Sequence, residues 1–268
     1  SSAASDVYKR QRDYWYSLTR QIGYSQIHER MYVRKNIRDT IFDMLAKSEI
    51  KAQEYRYSDL GYYMFQEMLE ERFNEPLDQW VNKTFFGPIG AQRITYNPLK
   101  KGFKLDELIP TEVDRYWRNT TVHGHVHDMG AALLGGVSGH AGLFANTNDL
   151  AKMMQIYLNG GYYGGVRYFR ESTIEKFSSC AFCETDNRRG LGFDKRQLDD
   201  GPGPSCTCAS HLSFGHTGFT GTMVWMDPKE GLLYIFLSNR TYPDAENWKL
   251  STLDIRTNIQ GYLYDALN

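Results

Sequence analysis

The sequence predicts an α+β fold, in which a helical lobe of about residues 34–160 is followed by an antiparallel sheet and a terminal helix in about residues 161–268. Two observations lead to this prediction. Apolar residues recur at three- and four-residue steps through the first part, as in amphipathic helices, whereas short runs after about residue 178 carry the composition and turn signals of strands. Helical spacing returns at the C-terminus, and strands followed by a packed helix indicate an α+β domain.

Apolar spacing predicts the first two helices. Residues 34–47, "RKNIRDTIFDMLAK", have an apolar stripe with helical periodicity. Asp59 is placed to cap a second helix that runs to about Phe73. The residues expected on the buried face of that helix are Tyr62, Phe65, Met68 and Leu69.

Turn residues divide the middle of the chain. Pro76 suits the first turn of a third helix, and residues 99–127 are interpreted as irregular chain. A short helix is expected after Asp128, ending in the glycine-rich turn "LGGVSGHAG". Asn146 or Thr147 then caps a longer helix that ends at "NGG".

The C-terminal third contains four predicted strands, "GLGFDK", "HLSFGHTG", "GTMVWMD" and "LLYIFLS". The turn 227–231, "DPKEG", joins the last two as an antiparallel hairpin. Ser251 opens a closing helix. Its predicted buried stripe consists of Ile255, Ile259, Tyr262, Leu263 and Ala266.

Composition narrows the possible partners. The 31 Lys and Arg residues balance 32 Asp and Glu residues, so the charge of -1 gives no reason to expect nucleic acid or an anionic membrane. The longest apolar run, 231–237, is too short to span a bilayer. Residues 1–11 are interpreted as a cloning scar or a cut end, and residues 12–268 as a single domain. No feature predicts a cofactor.

The four cysteines form two close pairs that permit three interpretations. Cys180 and Cys183 have C-x-x-C spacing, and Cys206 and Cys208 follow after a polar loop. Two such pairs are consistent with a zinc site, with disulfides in an exported protein, or with free thiols.

Two further groups of polar residues have both a functional and a structural interpretation. His123, His125 and His127 alternate in "HGHVHD", so a strand would place them on one face as metal ligands, but surface or packing histidines are equally ordinary there. Arg188 and Arg189 would suit a carboxylate substrate, or form a solvated basic turn.

Three segments, "YRYSDLGYY", "GGVSGHAGLF" and "GHTGFTGT", occur in an order and at separations that resemble the family of serine β-lactamases, penicillin-binding proteins and related esterases. The resemblance runs from about residue 34 to the C-terminus. It implies an antiparallel sheet with packed helices beside a helical lobe, and acyl transfer by a Ser-x-x-Lys serine to an ester, amide or cell-wall peptide. It also implies export, because many relatives work on cell walls.

The second of the family's three motifs falls on Tyr57 and Asp59. Tyr57 occupies the tyrosine of Tyr-x-Asn, and a tyrosine beside a lysine ammonium can act as a general base. Asp59 replaces the usual asparagine, so an ionised carboxylate that only accepts hydrogen bonds takes the place of an amide. The alternative is that Tyr57 is simply one of the packed tyrosines.

The third motif falls on His216, Thr217 and Gly218. The resemblance implies that His216 and Thr217 hydrogen-bond the substrate and that Gly218 lets an acyl group lie against the strand edge. The backbone N–H of Phe219 would face the developing oxyanion. His216 replaces the lysine of the lactamases and lacks its permanent charge. The alternative is a structural strand bent by glycine.

The family's nucleophile is not recognisable in this sequence. Ser48 and Lys51 have the Ser-x-x-Lys spacing, but Tyr57 follows Lys51 after only five intervening residues. Ser138 lies in "GVSGH", which is not the Gly-x-Ser-x-Gly elbow. We therefore expect a C-terminal fragment that lacks the first strands and the serine helix. Exposed strand edges would then favour self-association or a missing N-terminal segment as partner.

Overall fold

The computed structural model describes residues 15–49, 55–185, 187–199 and 201–267. Unit 1 consists of Ser1–Thr84 and Thr95–Phe144, and unit 2 consists of Phe85–Ile94 and Ala145–Asn268. None of the helices within the described ranges has the length and apolar character that a membrane crossing requires. The predicted scar, residues 1–11, lies outside the described residues.

Unit 1 combines short helices with small antiparallel sheets. Its helices are α1 (Ile37–Ala46), α2 (Leu60–Phe73), α3 (Leu77–Val81) and α4 (Met129–Leu133). Its strands are β1 (Tyr16–Ser17), β2 (Tyr24–His28), β3 (Met31–Arg34), β4 (Thr95–Tyr96), β5 (Pro110–Asp114), β6 (Thr120–His123) and β7 (Leu143–Phe144). A π-helical turn, Asn82–Phe86, continues α3.

The core of unit 1 lies between the sheet β1–β3–β2 and helices α1, α2 and α4. Met31 and Val33 point to one face of β3 and are buried, whereas Tyr32 and Arg34 alternate with them and are half-buried. Ile37 and Ile41 form the buried stripe of α1, so the predicted helix is confirmed. Each such side chain contributes about 1.5–3 kcal/mol by burial.

Unit 2 contains the main sheet. Its helices are α5 (Thr147–Leu158), α6 (Glu171–Ser178), α7 (Lys249–Thr252) and α8 (Ile255–Asp265). Its strands are β8 (Tyr162–Tyr163), β9 (Val166–Arg167), β10 (Asp194–Lys195), β11 (Phe214–Thr217), β12 (Met223–Asp227) and β13 (Leu232–Phe236). Strands β10 to β13 pair antiparallel in chain order, which confirms the predicted hairpin at residues 227–231.

The two faces of this sheet are covered by different helices. Phe214 and Met226 pack with Ile174 of α6 and with residues of α5. On the other face, the Tyr234 hydroxyl donates to the Arg256 carbonyl of α8 at 3.0 Å. Helices on both faces bury the strands and fix the end of β11, where the third motif lies.

Two predictions in unit 1 are wrong. Strands β1, β2 and β3 precede α1, although the sequence analysis found no strand before the first helix. Strands β5 and β6 form a hairpin inside residues 99–127, which were interpreted as irregular chain. Both regions contain short strands with many polar residues, so hydrophobic alternation does not reveal them.

The predicted buried faces of α2 and α8 are also wrong. In α2, Phe65 and Met68 are more than half exposed, and Tyr63 and Gln66 are buried. In α8, Tyr262 is 72% exposed, whereas polar Gln260 is fully buried. The closing helix is also interrupted, because Leu253 and Asp254 separate α7 from α8.

Candidate active site

The segment with Tyr57 leads directly into α2 of unit 1. Tyr57 is 56% exposed. Asp59 has helical φ and ψ and makes no side-chain capping hydrogen bond, so the predicted cap is wrong. The Ser58 hydroxyl instead accepts the Leu60 N–H at 3.2 Å. The Asp59 carboxylate is therefore not used as a cap at the helix N-terminus.

The first turn of α2 packs against the "SGHAG" turn, and this contact positions the Tyr57 segment. The Tyr63 ring meets the His140 ring edge-on with centroids 4.7 Å apart. A Cβ on Gly139 would lie 2.5 Å from the Tyr62 carbonyl oxygen, so only glycine permits this approach. Burial raises the pKa of the Tyr63 hydroxyl, which makes it a packing group and not a base.

A partly buried hydrogen-bond chain, which no sequence motif predicted, supports the same turn. His140 Nε2 lies 2.8 Å from Asp128 Oδ1. A carboxylate only accepts hydrogen bonds, so Nε2 carries the hydrogen and donates it. His140 Nδ1 therefore accepts from the Ser138 hydroxyl at 2.9 Å. The order is that of a serine triad, but Ser138 is only 1% exposed. Asp128 also caps α4 by accepting the Ala131 N–H at 2.7 Å, so the chain is a structural brace.

In unit 2 the third motif lies at the end of β11, where the strand enters a tight turn. His216 pairs with Val224 and Thr217 with Met223 of β12. The Gly218 N–H donates to the Thr222 carbonyl at 2.8 Å. A Cβ on Gly218 would meet the Thr222 hydroxyl, which would have to rotate away. The predicted strand is confirmed, although it ends one residue before Gly218.

Arg240 fixes the turn that carries Phe219. Its Nε donates to the Phe219 carbonyl at 2.7 Å, and its guanidinium lies 4.4 Å from the Phe219 ring centroid and 3.9 Å from that of Trp248. A guanidinium between two rings gains cation–π attraction from both. Phe219 therefore has a defined position although it is 54% exposed. No sequence pattern pointed to Arg240.

The His216 ring has a protein partner on each nitrogen. Nδ1 lies 2.7 Å from the Thr217 carbonyl oxygen, and Nε2 lies 3.1 Å from NH1 of Arg189. Arg189 in turn pairs with the buried Asp194 at 3.0 Å. Arg189 was predicted as a possible partner of a carboxylate substrate, and nothing in the sequence connected it to His216.

The candidate nucleophiles have separate, local roles. The Ser48 hydroxyl donates to the Leu45 carbonyl at 2.7 Å beyond the end of α1, and Lys51 lies outside the described residues. Ser138 belongs to the hydrogen-bond chain with His140 and Asp128.

The three alternate histidines do not share one site. His123 contacts the Leu108 carbonyl at 2.8 Å, and the His125 ring lies 4.6 Å from that of His28. His127 lies 3.1 Å from Glu112. Within residues 15–49, 55–185, 187–199 and 201–267, no three histidine, cysteine or acidic side chains gather to hold a metal ion.

The cysteines follow the disulfide interpretation. Disulfides join Cys180 to Cys183 and Cys206 to Cys208. Each bond closes within its own short segment, so the four sulfurs do not form the predicted alternative of one zinc ligand set.

Known proteins resemble this chain over most of its length. The family model described as Beta-lactamase matches residues 10–256. The "Putative D-alanyl-D-alanine carboxypeptidase" of Escherichia coli (strain K12) is 35% identical over 214 residues, which cover 75% of this chain and 49% of that protein. The chain spans about half the length of the curated relatives it matches.

Solved structures agree on the fold. EstCE1, a hydrolase with promiscuous acyltransferase activity, has a TM-score of 0.59 and 16% identity, covering 85% of this chain and 61% of that one. Simvastatin synthase (LovD) from Aspergillus terreus has a TM-score of 0.54 and 14% identity, covering 75% of this chain and 52% of that one. These similarities confirm the β-lactamase/transpeptidase-like α+β fold that the sequence predicted. The chain belongs to the β-lactamase family.

Proposed function

We propose that this chain provides the substrate-binding groups of a serine hydrolase that transfers the acyl group of a peptide ending in D-alanyl-D-alanine. The observation that carries the proposal is the end of β11, where Arg240 pins the turn that follows His216, Thr217 and Gly218. A carbonyl held against such a strand end meets preset backbone donors, which stabilise an oxyanion without reorganisation. The name of the carboxypeptidase-like relative supports a peptide as the substrate class.

Four residues of the two motif segments have roles in this proposal. The Thr217 hydroxyl hydrogen-bonds the substrate, and the Phe219 N–H is one donor to the oxyanion. For Tyr57, in unit 1, the proposed role is the general base that its motif implies, and the residue is 56% exposed. Asp59 is a polar positioning group beside it, since its carboxylate is not used as a helix cap.

We further propose that the chain binds such a peptide without forming an acyl-enzyme. The Ser48 hydroxyl donates to a backbone carbonyl, and Ser138, although it donates to His140, is only 1% exposed, so neither hydroxyl is presented to a peptide. If neither serine attacks the peptide, no acyl-enzyme forms, while binding through β11 is retained.

The test separates binding from acylation. Calorimetric titration with a peptide ending in D-alanyl-D-alanine should show saturable binding, and Thr217→Val should weaken it about tenfold because a hydroxyl partner is lost. Thr257→Val is the matched control, since the Thr257 hydroxyl bonds the Asp254 carbonyl in a different part of unit 2. Absence of binding by the wild-type chain would refute the substrate class.

A fluorescent penicillin and a fluorophosphonate probe, followed by mass spectrometry, test the second part. We expect no labelled serine. Acylation of Ser48 or Ser138 would show that the nucleophile is present and would overturn the non-acylating proposal.

A second candidate function is a non-catalytic peptide-binding module that retains the family fold. The neutral hydrogen-bonding arrangement of His216, in place of a lysine, favours it. It predicts peptide binding with no hydrolysis, even when any Ser-x-x-Lys segment that the parent gene encodes upstream is included. Turnover by that longer protein would exclude this module.

A further inference from the structure

The partners of His216 determine where its proton lies. The Thr217 carbonyl oxygen is only an acceptor, so Nδ1, at 2.7 Å, carries the hydrogen. The Arg189 guanidinium is only a donor, so Nε2, at 3.1 Å, accepts from it. Both contacts are satisfied together by one state of the ring, the neutral Nδ1–H tautomer.

Arg189 is held in place by an ion pair with Asp194. Its NH2 lies 3.0 Å from Asp194 Oδ2, and Asp194 is only 3% exposed. In the β10–β11 ladder Asp194 lies opposite Gly215, which is the residue directly before His216. The sheet itself therefore sets the distance between the carboxylate that anchors Arg189 and the ring that Arg189 contacts.

The neighbouring arginine has a different role. Arg188 also pairs with Asp194, at 2.8 Å, but it additionally donates to the Lys195 carbonyl at 3.0 Å and faces the Gln197 side chain at 3.3 Å. These contacts tie Arg188 to β10 and the residues after it. Of the two arginines, Arg189 is the one that contacts the third motif.

We propose that Arg189 is a positioning residue of this site: together with the Thr217 carbonyl it holds His216 as the Nδ1–H tautomer. The ring is then a rigid spacer and not a proton carrier. The permanent positive charge beside the motif belongs to Arg189, because a guanidinium stays protonated at any physiological pH. The functional consequence rests on the proposed peptide-binding function, whereas the tautomer does not.

Histidine ring NMR tests the tautomer directly on the whole chain. With ¹⁵N-labelled histidine and assignment by His216→Gln, wild-type His216 should show a protonated Nδ1 and a non-protonated Nε2 that accepts a hydrogen bond. Arg189→Met should change the Nε2 shift, while Arg167→Gln, an arginine that bonds the Gly160 and Phe169 carbonyls, should not. If the wild type instead carries its proton on Nε2, the proposal is overturned, and this result does not depend on whether any variant folds. An unchanged Nε2 shift in Arg189→Met would overturn it as well.

Peptide binding tests the functional consequence separately. If Arg189 positions the motif, Arg189→Met should weaken binding of a peptide with a free C-terminal carboxylate about tenfold, and Arg189→Lys should recover part of that loss. Unchanged affinity in Arg189→Met would refute the positioning role. If the wild type binds no peptide, the proposed function fails, and the NMR result still decides the state of His216.

Discussion

Replacing Arg118 with methionine should strongly destabilise unit 1, because Arg118 neutralises two buried carboxylates. Its side chain is 1% exposed. Nε donates to Asp114 at 2.8 Å and NH2 to Glu112 at 3.1 Å. The same guanidinium donates to the carbonyls of Val126 and His127, each at 2.7 Å. One side chain thus joins the β5–β6 hairpin to the loop that leads to α4.

The expected loss follows from these contacts. Removing one partner of a buried ion pair costs about 3–5 kcal/mol. Asp114 keeps the backbone N–H groups of Tyr116 and Trp117, each at 2.9 Å, so the lower end, about 3 kcal/mol, is appropriate. At about 2–4 °C per kcal/mol, the melting temperature should fall by about 6–12 °C.

Scanning calorimetry measures this loss. If the two units melt separately, only the transition of unit 1 should move. Lys47→Ala is the control, since Lys47 forms an exposed pair with Asp43 at 2.6 Å. Such a pair contributes about 0.3–0.5 kcal/mol, so its melting temperature should change by less than about 2 °C. A melting temperature for Arg118→Met within about 2 °C of the wild type would refute the reasoning.

Three further predictions concern single side chains. Burial lowers the pKa of His125 to about 4. As the pH falls, the unfolded chain therefore takes up a proton at this histidine before the folded chain does. The free energy of unfolding, measured by urea titration, should fall by up to about 1.4 kcal/mol per pH unit between about pH 6.5 and 4, and His125→Phe should reduce that slope. Gly215→Ala should cost about 1–3 kcal/mol in thermal melts, because its Cβ would lie 2.7 Å from the Trp225 ring; Gly61→Ala, with open space around it, should not destabilise. His140→Phe should cost about 1–3 kcal/mol, because it removes the hydrogen bonds of His140 with Ser138 and Asp128. It should also increase hydrogen exchange in the first turn of α2. Unchanged exchange there would contradict the structural role of His140.

Local chemistry was sufficient to predict several elements. Helix α1 follows from its apolar spacing, α5 from the cap at Asn146, whose side chain accepts the Asp149 N–H at 2.9 Å, and the β12–β13 hairpin from its turn. In each case the determining residues lie within a few positions of one another. A single sequence therefore contains the needed information.

The buried faces of α2 and α8 depend on distant polar partners instead. Gln66 is buried because its amide donates to Glu70 and to the Val137 carbonyl. Gln260 is buried because its carbonyl accepts the Cys206 N–H at 2.8 Å. Hydrophobic periodicity counts both glutamines as surface residues, so the buried face predicted for each helix was wrong. Only the tertiary contacts reveal that a polar side chain has a hydrogen-bond partner inside the protein.

The same limit applies to the candidate site. Glycine at 218 and histidine at 216 could be singled out by the sequence, because a bare backbone and a ring in one strand are unusual. Arg240 and Arg189 lie 21 and 27 residues from their partners Phe219 and His216 along the chain, and no periodic pattern links them. Yet these two arginines fix the turn and orient the ring. A motif search finds the groups that would face a substrate, whereas the groups that hold them rigid enough to work come from the fold.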